Sequence, residues 1–206
     1  MKKRLIALVL VLSQFVLWGC YLEGPEYTEE LDLIYTNYDA RYNFASKGTY
    51  ALPDKIVKIT GNPTAPPEYL KDIYGIPILA QIDANMTALG WTKVDVNDVP
   101  GPDVQLMPAA WTTTTLVGGY WGGYYCWWYP YYCGGGWYYP YVPVTSYSTG
   151  TMVMTMVDPN AESTDDSKLV IWSSAMNGLL SGTYEINRLK QGIDQAFAQS
   201  PYLKTN

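Results

Sequence analysis

Between Gly118 and Tyr141 the chain carries no charged residue and is built mostly of glycine, tyrosine, tryptophan and proline. Its densest part runs Tyr124-Tyr125-Cys126-Trp127-Trp128-Tyr129-Pro130-Tyr131-Tyr132-Cys133, and Gly134-Gly135-Gly136-Trp137 follows. Glycine and proline punctuate this stretch too often for a long helix or a regular buried strand. The sequence predicts a large loop or distorted hairpin over residues 118–147, extending from a sheet. Fifteen of the 31 aromatic residues lie between Trp111 and Tyr147, so the rest of the fold has to accommodate them.

Four uses of these rings stay open. They can pack on one side of the sheet, with about 0.5–1.5 kcal/mol per ring pair beyond the buried area. They can form a protein-docking surface, where Tyr and Trp dominate. They can stack on sugar faces, with Trp127, Trp128, Tyr129 and Trp137 as the candidate ligand-binding residues. They can dip into a membrane interface, which favours Trp and Tyr. Cys126 and Cys133 flank six residues centred on Pro130, so a tight return brings their Cβ atoms within bonding range. We expect a loop-closing disulfide between them if the chain is exported. The C-x-x-C spacing of redox motifs is absent.

The N-terminus points to export. Lys2, Lys3 and Arg4 form a positive start, and Leu5 to Trp18 is apolar except for Ser13 and Gln14. That matches a secretory segment and is too short to span a bilayer, which takes about 20 apolar residues. The run closes Leu17-Trp18-Gly19-Cys20, which resembles the lipobox of bacterial lipoproteins. The resemblance implies cleavage before Cys20, acylation there, and a membrane anchor. Residues 1–19 are then a signal peptide and 20–30 an acidic tether. Tyr21 in place of Asp implies, by the same resemblance, the outer membrane.

The chain has no histidine and a net charge of −6, more acidic still without Lys2, Lys3 and Arg4. Triads of the Ser-His-Asp or Cys-His kind are excluded on this chain alone. The acidic balance argues against nucleic acid, which needs a basic footprint. No metal or other cofactor is expected. The acids at Asp158, Glu162, Asp165 and Asp166 do not match a calcium loop and are expected to be a solvated hairpin loop.

Hydrophobic periodicity supplies the remaining elements. Leu31–Thr36, Lys55–Thr60, Asp103–Met107 and Trp111–Val117 read as strands. Thr151–Val157 and Leu169–Ala175 read as an antiparallel hairpin, with Met152, Met154 and Met156 on one core-facing side. A first helix starts within Pro66 to Pro77, turns Leu79, Ile82, Met86 and Leu89 inward, and ends at Gly90. Asp83, Asn85 and Thr87 are expected on its wet faces. A second helix spans Tyr184–Gln199, with Ile186, Leu189, Ile193 and Phe197 inward and Ser200-Pro201 as its stop. The whole predicts one α+β domain over residues 31–206: a mainly antiparallel sheet with two helices packed on one face.

The pattern Asp39-x-x-Tyr42-x-Phe44-x-Ser46-x-x-Thr49-Tyr50-Ala51 resembles the opening of the DUF4136 family of bacterial envelope lipoproteins. Ile82-Asp83, Leu89-Gly90-Trp91, Pro102-Asp103-Val104, Gly150-Thr151-Met152-Val153, Val157-Asp158 and Leu169-Val170-Ile171-Trp172 follow in the same order. The resemblance covers roughly residues 35 to 203 and brings no catalytic residues with it. The expectation is an outer-membrane-anchored envelope lipoprotein acting as a non-catalytic structural or interaction module. Its partners are the membrane, through Cys20, and an envelope protein or glycan at the aromatic loop. A carbohydrate-binding lipoprotein is the alternative.

Overall fold

A computed structural model describes residues 34–60, 62, 65–111, 119–120, 128–129, 141–142, 150–161, 170–177 and 185–205. The signal segment, Cys20, the tether, Cys126, Cys133, Trp127, Trp137 and the proposed Thr112–Val117 strand extension lie outside them. No helix among the described residues is long and apolar enough to cross a membrane.

Seven strands form one sheet: β1 (Ile34–Tyr38), β2 (Thr49–Ala51), β3 (Val57–Ile59), β4 (Thr92–Lys93), β5 (Val104–Trp111), β8 (Thr151–Val157) and β9 (Val170–Met176). The order is β1-β9-β8-β5-β2-β4, and β3 also pairs with β5. Two further short strands, β6 (Gly119–Tyr120) and β7 (Tyr141–Val142), pair antiparallel with each other. The β8–β9 hairpin forms as its alternating pattern predicts, and β1, β9, β8 and β5 run antiparallel in turn.

The sheet is mixed. β2 and β3 both pair parallel with β5, and β4 pairs parallel with β2. Parallel neighbours need long crossovers. The α1 helix (Asp72–Ala88) supplies one between β3 and β4. Two- and three-residue strands carry too few alternations for their direction to be legible in sequence.

The helix α1 opens on Asp72, which is acidic where the helix dipole favours it. It closes on a Schellman motif: Trp91 N–H donates to Met86 O at 3.1 Å and Gly90 N–H to Thr87 O at 3.0 Å. Gly90 has φ +94°, and a Cβ there would collide with Thr205 Oγ1. The C-terminal residues lie over this helix end, with Thr205 N–H on Leu89 O and Trp91 Nε1–H on Leu203 O. Ile78, Ile82 and Met86 are the buried residues of the inner face, with Gly75. Leu79 and Leu89 are only half-buried, so the stripe is rotated by one residue from the expected one.

The second helix, α2 (Ile186–Ala198), buries Leu189, Ile193 and Phe197 as its spacing predicts, while Ile186 stays half-buried. It ends at Ser200, whose hydroxyl donates to Ala196 O and accepts from Trp172 Nε1 and Tyr202 OH. Trp172 also stacks on Phe197 at 5.5 Å. Both helices contribute to one core with Met152, Met154, Met156, Leu106 and Trp172. The predicted helix-covered face is therefore present.

A second core lies on the sheet's other face: Val57, Ile59, Met107, Ala109, Trp111, Val153, Val157 and Ala175, with Trp128 and Tyr129. Consequently β5 and β8 are buried on both faces along their whole length.

Candidate interaction site on the aromatic side of the sheet

The central strand β5 contains Pro108, which lacks an N–H and is normally confined to edges and bulges. Its place has a local reason. Alternate residues of a strand aim their backbone groups at the same edge, so Leu106 and Pro108 share one. On that edge β2 ends its pairing at Gln105 and β3 begins at Ala109. Pro108 falls in the gap, where no strand asks for its N–H.

The gap leaves the carbonyls of Leu106 and Pro108 to be satisfied. Trp128 Nε1–H donates to Pro108 O at 2.7 Å. Tyr129 OH donates to Leu106 O at 2.6 Å, with Ala51 O at 3.2 Å. Two adjacent side chains of the aromatic segment thus act as a piece of missing strand. Each donates one hydrogen bond to the sheet edge and lays its ring over the second core.

Trp128 is 5 % exposed and Tyr129 3 %. Of the four candidate ligand-binding residues, these two are turned inward, and Trp127 and Trp137 lie outside the described residues. Flat rings that stack on a sugar need an open face, which Trp128 and Tyr129 do not have. The packing use of the aromatic segment applies to these two rings.

Beside them is a cleft of about 600 Å³. Leu52, Pro53 and Asp54 leave β2 on one side, and Lys93 to Asp98 leave β4 on the other. Trp128 and Tyr129 close its inner wall. Asp95 and Asp98 brace the second loop: Asp98 Oδ2 accepts from Asp95 N–H at 2.9 Å, and Asp95 Oδ1 from Asn97 N–H at 2.8 Å. Lys93 is the cation among the described lining residues and reaches Asp83 at 3.7 Å. Sequence reasoning missed this cleft, although Asp95-Val96-Asn97-Asp98 carries turn chemistry.

Elsewhere the polar residues are spent on ties within the fold. Asp158, expected in a solvated loop, is instead 3 % exposed. It accepts from Tyr42 OH at 2.8 Å and pairs with Lys47 at 3.1 Å. A buried carboxylate needs such partners, and it has them. Glu162, Asp165 and Asp166 lie outside the described residues. Burial, then the bond to Asp158, pushes the Tyr42 phenol well above its usual range, so it stays protonated as a donor.

Asp103 joins β5 to β2. Its Oδ2 accepts from Gly48 N–H, Thr49 N–H and Thr49 Oγ1, and its own N–H donates back to Thr49 Oγ1. Burial pushes this carboxyl up, but those three bonds and Lys47 outweigh it and hold it below the usual carboxylate value. Tyr50, fully buried in β2, donates to Asp83 Oδ1 at 2.6 Å and ties the sheet to α1. Asp83 and Asn85 are thus engaged rather than simply wet, since Asn85 bonds Asp194 of α2 at 2.7 Å. Thr87 is exposed as expected. Among the described residues no group of three acidic or thiol side chains is placed to hold a metal ion.

The model of the domain of unknown function DUF4136 matches residues 34–202. A crystal structure of a DUF4136 family protein from Bacteroides thetaiotaomicron is 34% identical, with a TM-score of 0.63, over 84% of this chain and 97% of that one. A PelC dodecamer structure from Paraburkholderia phytofirmans is 12% identical, with a TM-score of 0.40, over 84% of this chain and 99% of that one. A PDZ domain protein from Parabacteroides distasonis has the same identity and TM-score, over 84% of this chain and 34% of its own. No curated protein matches.

Proposed function

Since this chain belongs to the DUF4136 family, a domain of unknown function, we propose that it is a non-catalytic interaction module of the cell envelope. It is anchored to the outer membrane through lipid on Cys20 and meets a protein partner at the aromatic side of its sheet.

One observation carries the reading. Most of the polar residues by which the chain resembles its family are bonded to one another or to backbone. Tyr42 holds Asp158, Thr49 holds Asp103, Tyr50 holds Asp83, Trp91 holds Leu203 O and Trp172 holds Ser200. A catalytic set would instead turn such groups toward a reacting atom. The shared pattern thus builds a frame. The cleft beside Trp128 and Tyr129, rimmed by Asp54, Asp95 and Asp98, is where a partner would seat.

A photo-crosslinking residue at Asn97, exposed on the cleft rim, tests it in intact cells. A discrete protein adduct at Asn97, absent with the same probe at Gln191 on the exposed face of α2, is expected; no adduct at Asn97 would sink the proposal. Single replacements are sharper here than deleting residues 120–141, which would also remove the two side chains that complete the sheet edge.

The carbohydrate alternative loses two of its four rings to burial. A glycan array with the intact protein decides it: sugar binding that Trp127→Ala and Trp137→Ala abolish would replace the protein-docking reading. The anchor has its own test. Cys20→Ala is expected to release the protein from the membrane fraction, and normal retention would remove the lipid from the account. Thiol labelling of Cys126 only after reduction is the result expected of a Cys126–Cys133 disulfide.

A further inference from the structure

The α1 helix is apolar on both sides. Its inner face is in the core. Its outer face presents Ile73, 71 % exposed, Ile76, 62 % exposed, and then Ala80, Ala84 and Ala88, all exposed. These positions follow the three- and four-residue steps that line one side of a helix. The α2 helix differs: Asn187, Gln191, Asp194 and Gln195 cover its outer face. An apolar strip on the solvent side of a helix calls for a cover. We propose that the outer face of α1 is the contact between two copies of this chain, paired antiparallel about a two-fold axis at Ala80.

Shape selects the occupant and the direction. The strip is bulky in its first half and small in its second. With α1 antiparallel to itself and Ala80 on the axis, Ile76 of one copy lies over Ala84 of the other, and Ile73 over the Thr87–Ala88 turn. Large meets small at each step, so the axes approach closely, at the short end of the roughly 8–10 Å range of packed helices. A parallel pairing would set isoleucine on isoleucine and alanine on alanine, leaving one end crowded and the other open. The self-complementary patch is what a two-fold interface requires.

Charge agrees. The chain is acidic overall, so two copies repel across most surfaces. Between Asp72 and the end of α1 the helix has one charge, Asp83, and that is turned to Tyr50 and Lys93. This face therefore does not repel a second copy and offers a basic protein or an anionic surface nothing to bind. Antiparallel pairing also sets opposed helix dipoles side by side. It brings the exposed Asp72 end of one helix toward the exposed Lys204 of the partner copy, next to the last turn of α1.

Sedimentation equilibrium of the full chain in density-matched detergent tests the pairing. The unaltered chain is expected to be dimeric. Ala84→Glu and Ile76→Lys, each on the solvent face, are each expected to weaken the dimer about tenfold or more. An equimolar mixture of the two variants is expected to dimerise again, because Lys at 76 meets Glu at 84 while the second Ile76–Ala84 contact is unaltered. A monomeric unaltered chain, or dimers indifferent to both variants, would overturn the proposal. Failure of the mixture to recover while each variant keeps the unaltered circular dichroism and melting temperature would overturn the antiparallel register. The outcome is independent of the aromatic-side reading, since neither variant touches the cleft.

Discussion

The two faces of the sheet are covered in different ways. On one, two helices lay regular stripes over Met152, Met154, Met156 and Trp172. On the other, Trp128 and Tyr129 come from a stretch without periodicity and are fixed by hydrogen bonds to the edge of β5. The helical cover coheres mainly through area, with Trp172 and Tyr50 adding hydrogen bonds to Ser200 and Asp83. The aromatic cover is also polar at its tips, and closes a break between β2 and β3 that helices cannot reach. A sheet with a gap in its pairing needs side chains that are apolar in body and donors at the end, and Trp and Tyr are that kind of residue.

Substitutions can break this contrast, and the largest effect belongs to the helical side. Trp172→Ala removes a fully buried ring stacked on Phe197 and a donor to Ser200, and is expected to cost about 3–5 kcal/mol. Urea unfolding measures it, and a loss below about 1 kcal/mol would contradict a rigid helical cover.

Trp128→Phe keeps most of the ring and deletes the N–H that Pro108 O accepts. We expect a loss of about 1–3 kcal/mol, the cost of an orphaned buried carbonyl plus some packing. Tyr129→Phe should behave alike. Unchanged melting of both variants would mean that the aromatic side is plain cover, and the contrast would fail.

Asp103 sharpens the comparison at the strand junction below both faces. Its folded pKa lies below the usual 3.8, so its contribution is complete above that value and is lost as pH falls through the lower, folded one. Asp103→Asn is therefore expected to cost about 1 kcal/mol at neutral pH. Its deficit should shrink in acid-unfolding curves below the unfolded carboxylate range. A deficit that stays constant down to full protonation would show that the charge contributes nothing.

The smallest effect has the opposite sign. Thr155 Oγ1 is buried on the aromatic side and has no hydrogen-bond partner among the described residues. Thr155→Val removes that unsatisfied group at nearly constant shape and is expected to raise stability by up to about 0.5 kcal/mol in thermal unfolding. A loss of that size would mean the hydroxyl is used.

Legibility in the sequence follows the same division. The β8–β9 hairpin, the methionine stripe, α2 and the glycine end of α1 were readable, because period and cap chemistry are local. The rotated stripe of α1 was harder, since isoleucines and alanines occupy both of its sides and leave periodicity little contrast. The parallel pairing of β2, β3 and β4 was not readable, because two or three residues carry no directional signal. Asp158 looked wet because its neighbours in sequence are polar, whereas Tyr42 and Lys47, which bury it, come from far along the chain. The cleft had the same problem: its walls come from two loops and the Trp128-Tyr129 pair.

Gly150 N–H bonds Trp111 O at 2.9 Å, and Trp111 stands opposite Thr151 in the β5–β8 ladder. The chain thus leaves the sheet and re-enters it at neighbouring points. A closed doorway of this kind makes the length of what lies between cheap to change, since loop closure grows only with the logarithm of length. The domain is in effect a host scaffold. A different loop grafted between β5 and β8 is expected to be tolerated, provided it returns one indole and one phenol to cap the two carbonyls of the broken edge.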